Sequence, residues 1–223
     1  MRIYCDFDGT ITRKDTTDLV LGALASPTWE RLEDAWVRGR ISAADCMRRQ
    51  IGLIRGSDQD LDAILDTVEI DPAFPRFVSW CETHGLPLMI VSDGVDRFID
   101  RILRHHDLGH LPVVANRLEG RPERRRLRQP GMKPGCAAGS GVCKCAVATQ
   151  GASGAIVFIG DGRSDFCISS RADVLFAKDS LAAYATSRGK AFYPFETFDD
   201  VICSLAQLIA APSAGSRVRA LSL

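Results

Sequence analysis

The chain has 223 residues, which is enough for one large domain or for a medium-sized domain with an insert. Its 28 Lys and Arg residues balance 28 Asp and Glu residues, so the formal net charge is zero. A neutral chain has no overall field to hold polyanions, which argues against a dedicated nucleic-acid-binding or membrane-surface protein. Hydrophobic residues make up 46% of the chain, a composition that excludes intrinsic disorder over most of its length.

The N-terminal region carries no membrane or export signal. Its longest early apolar run, residues 19–25, is far shorter than the roughly 20 residues that span a bilayer. It also lacks the basic start, apolar stretch and small-residue cleavage site of a secretory signal. We therefore expect a cytoplasmic protein with no membrane partner.

Short apolar runs alternate with longer segments of helical spacing along the chain. This alternation is typical of a parallel β-sheet whose strands are connected by helices, so the predicted fold class is α/β. The first three predicted strands each end at a cluster of polar residues, and ligands of such sheets bind where the carboxyl ends of strands converge. The predicted strands are residues 2–5, 87–91, 155–159, 174–177 and 191–193, with further helices at 74–83 and 198–209.

Residues 13–71 form a region without a convincing strand. Apolar residues repeat at helical spacing over residues 29–36 and again over 61–68, which predicts a helical cap inserted after the first strand. The predicted organisation is a catalytic core at residues 1–12 and 72–211, a helical cap at 13–71 and a flexible tail at 212–223.

Five arginines lie close together in residues 121–128. No aromatic residues that could stack on bases are interspersed among them, so the segment is predicted to be a solvated hairpin or loop. Contact with an anionic substrate and binding of nucleic acid remain alternatives.

The chain contains eight cysteines. Without an export signal, we expect reduced thiols rather than disulfides. Three of the thiols, Cys136, Cys143 and Cys145, lie within ten residues of one another. A structural zinc ion usually binds two pairs of Cys or His residues, and no His lies near this cluster, so a metal there is the minor alternative.

Two carboxylates follow the first predicted strand. Asp6 and Asp8 are spaced so that both can face one pocket while the chain bends through Gly9. Their mutual repulsion favours a bound cation, and oxygen ligands beside a phosphate favour Mg²⁺. A turn-forming aspartate before glycine explains only one of the two residues. We therefore predict a Mg²⁺ site at this strand end.

The sequence Asp-x-Asp-Gly-Thr after an N-terminal strand resembles the first motif of the haloacid dehalogenase-like superfamily of phosphohydrolases. Ser92, followed by Asp93 and Gly94, stands where the second motif of that family has Ser or Thr at a strand end. Lys144 occupies the position of the third-motif lysine, and residues 160–165 match the fourth motif, Gly-Asp-x-x-x-Asp. The resemblance implies a Rossmannoid parallel sheet core and hydrolysis of a small phosphomonoester substrate with Mg²⁺ as cofactor.

The resemblance also implies roles for the residues in these motifs. Asp6 would be the nucleophile and form an aspartyl-phosphate, which divides one difficult displacement into two easier ones. Asp8 would protonate the leaving group and then deprotonate water, which requires a raised pKa. The phosphoryl group would be bound by Ser92, Asp93, Gly94 and Lys144. Mg²⁺ would be bound by Asp6, the backbone carbonyl of Asp8, Asp161 and Asp165, with Asp165 either a ligand or a partner of one.

A second lysine competes for the third-motif position. Lys133, followed by Pro134, also resembles a lysine-proline form of that motif. We favour Lys144 because residues 145–148 can begin the helix that should follow, whereas the glycine-rich segment 135–141 is a poor helix start.

The position of the predicted cap is similar to that in the phosphoserine-phosphatase-like branch of the superfamily. Residues 174–181 and 193–201 are most similar to the methionine-salvage phosphatases, which act on 2-hydroxy-3-keto-5-methylthiopentenyl-1-phosphate. Phosphoserine phosphatases and phosphoethanolamine or phosphocholine phosphatases remain alternatives. Phosphoserine would need paired charges in the cap, for which the candidates are Asp15, Asp18, Glu30, Glu33, Arg48 and Arg49.

A haloacid dehalogenase-like fold retained as a non-catalytic binding module is the alternative from another functional class. Loss of Asp6, Asp8 or the lysine would indicate it, and none of these is lost. The predicted partner is therefore a small molecule and not a nucleic acid, and the sequence does not specify an oligomeric state.

Overall fold

The computed structural model of the protein describes residues 1–150 and 154–210. Its centre is a seven-stranded sheet in the order β4-β3-β2-β1-β5-β6-β7. The strands are β1 (Arg2–Cys5), β2 (Leu88–Val95), β3 (Val113–Glu119), β4 (Arg126–Arg128), β5 (Ile156–Gly160), β6 (Val174–Ala177) and β7 (Tyr193–Pro194). Neighbouring strands are parallel except β3 and β4. The predicted α/β fold class with a parallel sheet is confirmed.

The helices fall into two groups. Residues 13–71, which we call the insert, contain α1 (Thr16–Leu24), α2 (Thr28–Val37), α3 (Ala43–Ile51) and α4 (Asp58–Leu65). An isolated bridge pairs Thr12 with Ile70, so the chain enters and leaves the insert at adjacent points. The remaining helices are α5 (Phe74–Thr83), α6 (Asp96–His105), α7 (Lys144–Thr149), α8 (Phe166–Ser169), α9 (Asp179–Ser187) and α10 (Phe198–Ala210).

Three helices of the insert begin at side chains that cap them. Asp15, Ser42 and Ser57 accept hydrogen bonds from backbone N–H groups in the first turns of α1, α3 and α4. Each such cap contributes about 1 kcal/mol, which matters for helices of only two or three turns.

Apolar side chains cover both faces of the sheet. Along β1, Ile3 and Cys5 lie in one cluster with residues of α1, α4, α5, α6 and α10, whereas Tyr4 lies in a second cluster with residues of α7, α8 and α9. Because both faces are buried, polar side chains gather at the carboxyl edge of the strands.

The sequence pattern misses β3 and β4. β3 begins with two valines but continues through Asn116 and Arg117, so it lacks the uninterrupted apolar run of the central strands. β6 has the predicted bounds, and β2 extends through Val95, past the apolar run that predicts it.

The arginine-rich segment 121–128, which the sequence predicts to be a hairpin or a loop, forms the turn and second strand of the β3–β4 hairpin. Arg125 departs from the prediction of a solvated segment because it is buried. Its guanidinium donates a hydrogen bond to the Gly56 carbonyl at 2.9 Å and pairs with Asp58 at 2.9 Å. This arginine therefore ties the hairpin to the start of α4.

The prediction of reduced cysteines is wrong for one pair. Cys145 on α7 and Cys167 on α8 form a disulfide, with their Cα atoms 6.5 Å apart. The two short helices pack side by side, which brings together cysteines that are separated by 22 positions in the chain.

None of the helices within the two described ranges is long and apolar enough to cross a membrane. The segment predicted as a flexible tail, residues 212–223, lies outside the described residues. The boundaries predicted between core and cap stay predictions.

Candidate active site

The predicted site residues gather at the carboxyl edge of the sheet. β1, β2 and β5 are neighbours, so Asp6, Ser92 and Asp161 border one cavity of about 410 Å³. Lys144 and Asp165 are buried behind the wall of this cavity. The predicted residues that line the cavity are Asp6, Asp8, Ser92, Asp93, Gly94 and Asp161.

Lys144 occupies the centre of a buried charge cluster. α7 begins at this residue, and its ammonium lies 2.6 Å from Asp6 Oδ2 and 2.5 Å from Asp165 Oδ1. It also donates a hydrogen bond of 2.9 Å to the Ser164 hydroxyl. Burial alone would lower the pKa of Lys144, but the charges of Asp165 and Asp6 raise it above its usual value. The lysine is therefore a stable positive charge beside Asp6, whereas the rival Lys133 is exposed.

Asp6 follows β1 and is buried. Its Oδ1 accepts a hydrogen bond from the Phe7 backbone N–H at 2.7 Å, and its Oδ2 faces Lys144. Burial and then the negative charge of Asp165 raise the pKa of Asp6, while Lys144 acts in the opposite direction. Because its two oxygens are held by different partners, the carboxylate has a defined orientation in the cavity.

Asp8 connects the sheet edge to the insert. Its Oδ1 accepts hydrogen bonds from the backbone N–H (2.9 Å) and the hydroxyl (2.6 Å) of Thr16, the first residue of α1. Burial and the charge of Asp15 raise the pKa of Asp8 to about 7, against the lowering effect of the Thr16 hydrogen bonds. A carboxyl group with this pKa can both release and take up a proton near neutral pH.

Two glycines allow the backbone to approach these carboxylates closely. A Cβ atom at Gly94 would lie 2.5 Å from Asp8 Oδ2 and 3.0 Å from the Ser92 hydroxyl oxygen. Gly9 has a φ of +73°, and a Cβ atom there would lie 2.5 Å from Asp161 Oδ2. Ser92 accepts a hydrogen bond of 2.9 Å from the Gly94 N–H, so its hydroxyl hydrogen is free to point elsewhere.

Asp6, Asp161 and Asp165 bring carboxylate oxygens within 4.8 Å of one another. Burial and the charge of Asp165 raise the pKa of Asp161 to about 6. A set of crowded carboxylate oxygens fits a hard divalent cation such as Mg²⁺, whose charge would offset their repulsion. Asp165 Oδ2 already accepts hydrogen bonds from the N–H groups of Asp161 (3.1 Å) and Gly162 (3.0 Å), and its Oδ1 pairs with Lys144. Because both oxygens of Asp165 already have partners, we expect it to hold the turn at Asp161 and Gly162 in place rather than to bind the metal directly.

The Asp93 side chain is held by hydrogen bonds to two neighbouring segments, and its predicted contact with phosphate stays a prediction. Its Oδ1 accepts hydrogen bonds from the Val142 N–H at 3.0 Å and from the Asn116 side chain at 3.1 Å. The side chain therefore connects β2 to β3 and to the segment just before Lys144. Asn116 is fully buried and is missing from the predicted site, because nothing in the sequence marks β3 as a strand that reaches this edge.

The insert forms the opposite wall of the cavity. Of the six charged candidates proposed there for phosphoserine, Asp15, Asp18 and Glu33 line the cavity and the other three do not. Trp36 of α2 lines it too, and the guanidinium of Arg163 lies 5.2 Å from the centre of the Trp36 ring. Further apolar and aromatic lining comes from Met47, Phe166 and Tyr184. The Arg163–Trp36 contact joins parts of the chain whose proximity no local sequence signal reveals.

Residues 3–169 match the family model described as haloacid dehalogenase-like hydrolase. The chain is 33% identical over 211 residues to the 2-hydroxy-3-keto-5-methylthiopentenyl-1-phosphate phosphatase of Brevibacillus brevis, covering 92% of this chain and 95% of that protein. It is 31% identical over 211 residues to the enzyme of the same name from Geobacillus thermodenitrificans, covering 92% and 96%.

Among solved structures, a phospho-aspartyl intermediate analogue of phosphoserine phosphatase superimposes with a TM-score of 0.65. It shares 14% identity and covers 91% of this chain and 97% of that one, which supports the fold. The predicted family and the predicted phosphatase class are confirmed by the family model and the curated relatives. This chain belongs to the haloacid dehalogenase-like hydrolase family.

Proposed function

We propose that this protein is a Mg²⁺-dependent phosphomonoesterase that works through an aspartyl-phosphate on Asp6. The observation that carries the proposal is the buried contact of Lys144 with Asp6 and Asp165, beside the Asp8 carboxyl. This arrangement supplies a nucleophile and an acid–base group that line one cavity, with a positive charge directly behind the nucleophile.

In the first step, a carboxylate oxygen of Asp6 attacks phosphorus, and the bond from phosphorus to the ester oxygen breaks. The Asp8 carboxyl donates its proton to the departing alkoxide. Lys144 and the Ser92 hydroxyl offset negative charge on the phosphoryl oxygens. In the second step, Asp8 takes a proton from water, which attacks phosphorus, releases inorganic phosphate and restores Asp6.

Phosphatases of this family generally use Mg²⁺, and the donor set at the carboxyl edge fits that ion. Asp6, Asp161 and the backbone carbonyl of Asp8 are the groups that would hold it. When bound, Mg²⁺ would offset the negative charge of these carboxylates and of the phosphate, and it would polarise the phosphoryl group. Asp165 would hold the backbone at Asp161 and the Lys144 ammonium in fixed positions through its hydrogen bonds and its ion pair.

We propose that the insert acts as a cap on the cavity. Thr16 binds Asp8 at one side, and Trp36 contacts Arg163 at another, so the insert touches the site at two separate points. A cap in this position would exclude water while the alcohol leaves and would open to admit water for the second step.

The substrate we propose is 2-hydroxy-3-keto-5-methylthiopentenyl-1-phosphate. The support is the similarity to enzymes of that name over more than nine-tenths of the chain. The cavity also offers apolar and aromatic surface, from Trp36, Met47, Phe166 and Tyr184, on which a methylthio tail could pack.

A second candidate is a phosphorylated amino alcohol, such as phosphoethanolamine or phosphocholine. The observation that favours it is the acidic character of the insert wall, where Asp15, Asp18 and Glu33 all line the cavity. These carboxylates would attract a cationic leaving group, and Trp36 could stack against a quaternary ammonium. One oxygen of Glu33, Oε2, already accepts a hydrogen bond of 3.0 Å from Gln50, so it is less available to a ligand than the other oxygen.

The test is a substrate panel in the presence of Mg²⁺. It includes p-nitrophenyl phosphate, the methylthio substrate, phosphoserine, phosphoethanolamine and phosphocholine. We expect hydrolysis of p-nitrophenyl phosphate and the highest kcat/KM for the methylthio substrate. A preference for the amino-alcohol esters would support the second candidate.

Asp6→Asn should abolish hydrolysis of every ester in the panel. Asp100→Asn is the matched control, because Asp100 lies on α6, does not line the cavity and pairs with Arg104. Mg²⁺-dependent activity that survives Asp6→Asn would contradict the assignment of the nucleophile.

A further inference from the structure

Four cysteines from two segments of the chain lie close together beside the candidate active site. The sulfur atoms of Cys136, Cys143 and Cys167 lie within 4.8 Å of one another. The Cys145 sulfur is bonded to that of Cys167, which places it next to this group. The three cysteines of the segment 136–145 were visible as a cluster in the sequence, but the fourth member, Cys167 on α8, comes only from the fold.

We propose that Cys136, Cys143, Cys145 and Cys167 bind one Zn²⁺ ion when the Cys145–Cys167 pair is reduced. Four thiolates are a common ligand set of structural zinc, and thiolate sulfur selects zinc over Mg²⁺. Zinc–sulfur bonds of about 2.3 Å in a tetrahedron place the sulfurs about 3.8 Å apart. Three of the sulfurs already lie within 4.8 Å of one another, and the fourth, that of Cys145, would separate from Cys167 once their bond is reduced.

Zinc binding requires a reduction step. Two thiol groups of a small thiol or dithiol reductant cleave the Cys145–Cys167 bond, giving two cysteine thiols and one disulfide of the reductant. Each of the four cysteine thiols then releases one proton to solvent as its sulfur binds the metal. The metal itself is not oxidised or reduced in either step.

The loop that carries Cys136 is held in a defined conformation by backbone hydrogen bonds. The Cys136 N–H donates a hydrogen bond of 3.2 Å to the Lys133 carbonyl. The Gly139 N–H donates to the Cys136 carbonyl at 3.0 Å, and the Cys143 N–H donates to the Gly131 carbonyl at 2.9 Å. These backbone hydrogen bonds fix the turns that carry Cys136 and Cys143, and groups around a metal site commonly orient its ligands in this way.

The position of the cluster gives the metal a role in holding the site together. Lys144 lies between two of the cysteines, and Cys167 follows two residues after Asp165. Zinc would therefore join the segment that carries the lysine to the segment that carries its buried partner. The same loop lines the cavity through Ala137, Ala138 and Ser140, and the Gly139 carbonyl accepts a hydrogen bond of 2.9 Å from Ala44 of the insert.

The test uses the full chain and measures metal content. The protein is reduced with a phosphine, desalted, incubated with Zn²⁺ in the presence of excess Mg²⁺ and desalted again. We expect about one tightly bound zinc ion per chain. Loading with Co²⁺ instead should give the sulfur-to-cobalt charge-transfer bands and the strong visible bands of a tetrahedral thiolate site. Absence of bound zinc in the reduced protein would overturn the proposal.

Variants distinguish zinc binding by the four cysteines from metal binding by the carboxylates of the candidate active site. Cys136→Ser and Cys143→Ser should each lose the zinc and the cobalt bands, whereas Cys203→Ser, which removes an exposed thiol on α10, should retain both. Asp6→Asn should also retain the zinc, so the outcome is independent of the proposed phosphatase mechanism. Zinc that is retained by both cluster variants would overturn the proposal.

A measurement on the unaltered chain covers the case in which a cluster variant does not fold. A mercurial thiol reagent added to the zinc-loaded wild-type protein should release the metal as the cluster thiols are modified. Thiol titration in denaturant without reductant should find all eight cysteines free after the zinc-loaded protein is unfolded. A titration that finds one disulfide in the zinc-loaded protein would contradict a four-thiolate site.

Discussion

The two walls of the cavity are built from different kinds of structure. The sheet wall consists of residues at strand ends, among them Asp6, Ser92 and Asp161, which are held by buried charges and backbone hydrogen bonds. The insert wall consists of side chains on short helices, such as Glu33 and Trp36, which are partly exposed and have few fixed partners. We propose from this difference that the sheet wall performs the chemistry and that the insert wall selects the leaving group.

The largest effect on activity and stability should come from removing the buried positive charge of Lys144 behind the sheet wall. We expect Lys144→Met to abolish turnover of p-nitrophenyl phosphate and to lower the free energy of unfolding by about 3–5 kcal/mol. Asp6 and Asp165 would then stay buried without the cation that they share. Chemical denaturation and a Mg²⁺-dependent assay measure the two effects. Lys133→Met, which alters an exposed lysine, should leave both quantities close to those of the wild type.

The next largest effect should come from Asp8, where the sheet wall meets the insert. Asp8→Asn should lower kcat for an alkyl phosphate by about 10²–10⁴-fold, because the leaving alkoxide then receives no proton. Nitrophenolate leaves without a proton, so a rapid burst of this product should remain while its steady-state release slows. Stopped-flow absorbance measures the burst. Equal loss of the burst and of the steady-state rate would argue against this role.

A change on the insert wall should affect binding more than chemistry. Trp36→Ala removes apolar surface that lines the cavity and contacts Arg163, so KM for the physiological ester should rise about tenfold with a smaller change in kcat. The control is Val37→Ala, because Val37 is the adjacent, exposed residue of the same helix. A fall in kcat at unchanged KM would place Trp36 with the catalytic groups. It would contradict the proposal that the insert wall only selects the leaving group.

The smallest effect should be a shift in pH dependence. Asp8 must be protonated to act as an acid, so with its pKa of about 7 the rate for an alkyl phosphate should fall as pH rises through that value. Asp15→Asn removes a negative charge that raises this pKa, so the fall should move to lower pH. Asparagine can still cap α1. The exposed Asp34→Asn is the control, and a profile that does not move in Asp15→Asn would contradict the coupling.

Much of the sheet wall could be predicted from sequence because its signals are local. Asp6 and Asp161 come directly after apolar runs that are strong enough to identify as strands, and Asp8 follows Asp6 by two positions. The bend at Gly9 is also visible in the sequence itself. Where a strand is polar, as β3 is at Asn116 and Arg117, the same reasoning misses both the strand and the contact of Asn116 with Asp93.

The insert wall could not be predicted to the same depth. Helical spacing identifies α2, but the direction of Trp36 toward Arg163 depends on how two distant segments pack. The same holds for Cys167, whose proximity to Cys136 and Cys143 arises from the packing of α8 against α7. Local patterns report which residues belong to an element, whereas these contacts depend on the relative placement of elements.

The central claim is that Asp6 becomes phosphorylated during turnover. The most direct measurement is a rapid acid quench of the enzyme with p-nitrophenyl phosphate carrying radiolabelled phosphorus, followed by peptide mapping. Asp8→Asn, in which the second step is slowed, should accumulate the intermediate. We expect an acid-stable, hydroxylamine-sensitive label on the peptide that contains Asp6, and no label when Asp6→Asn is added. A label on another residue, or a nitrophenolate burst without labelled protein, would contradict the account.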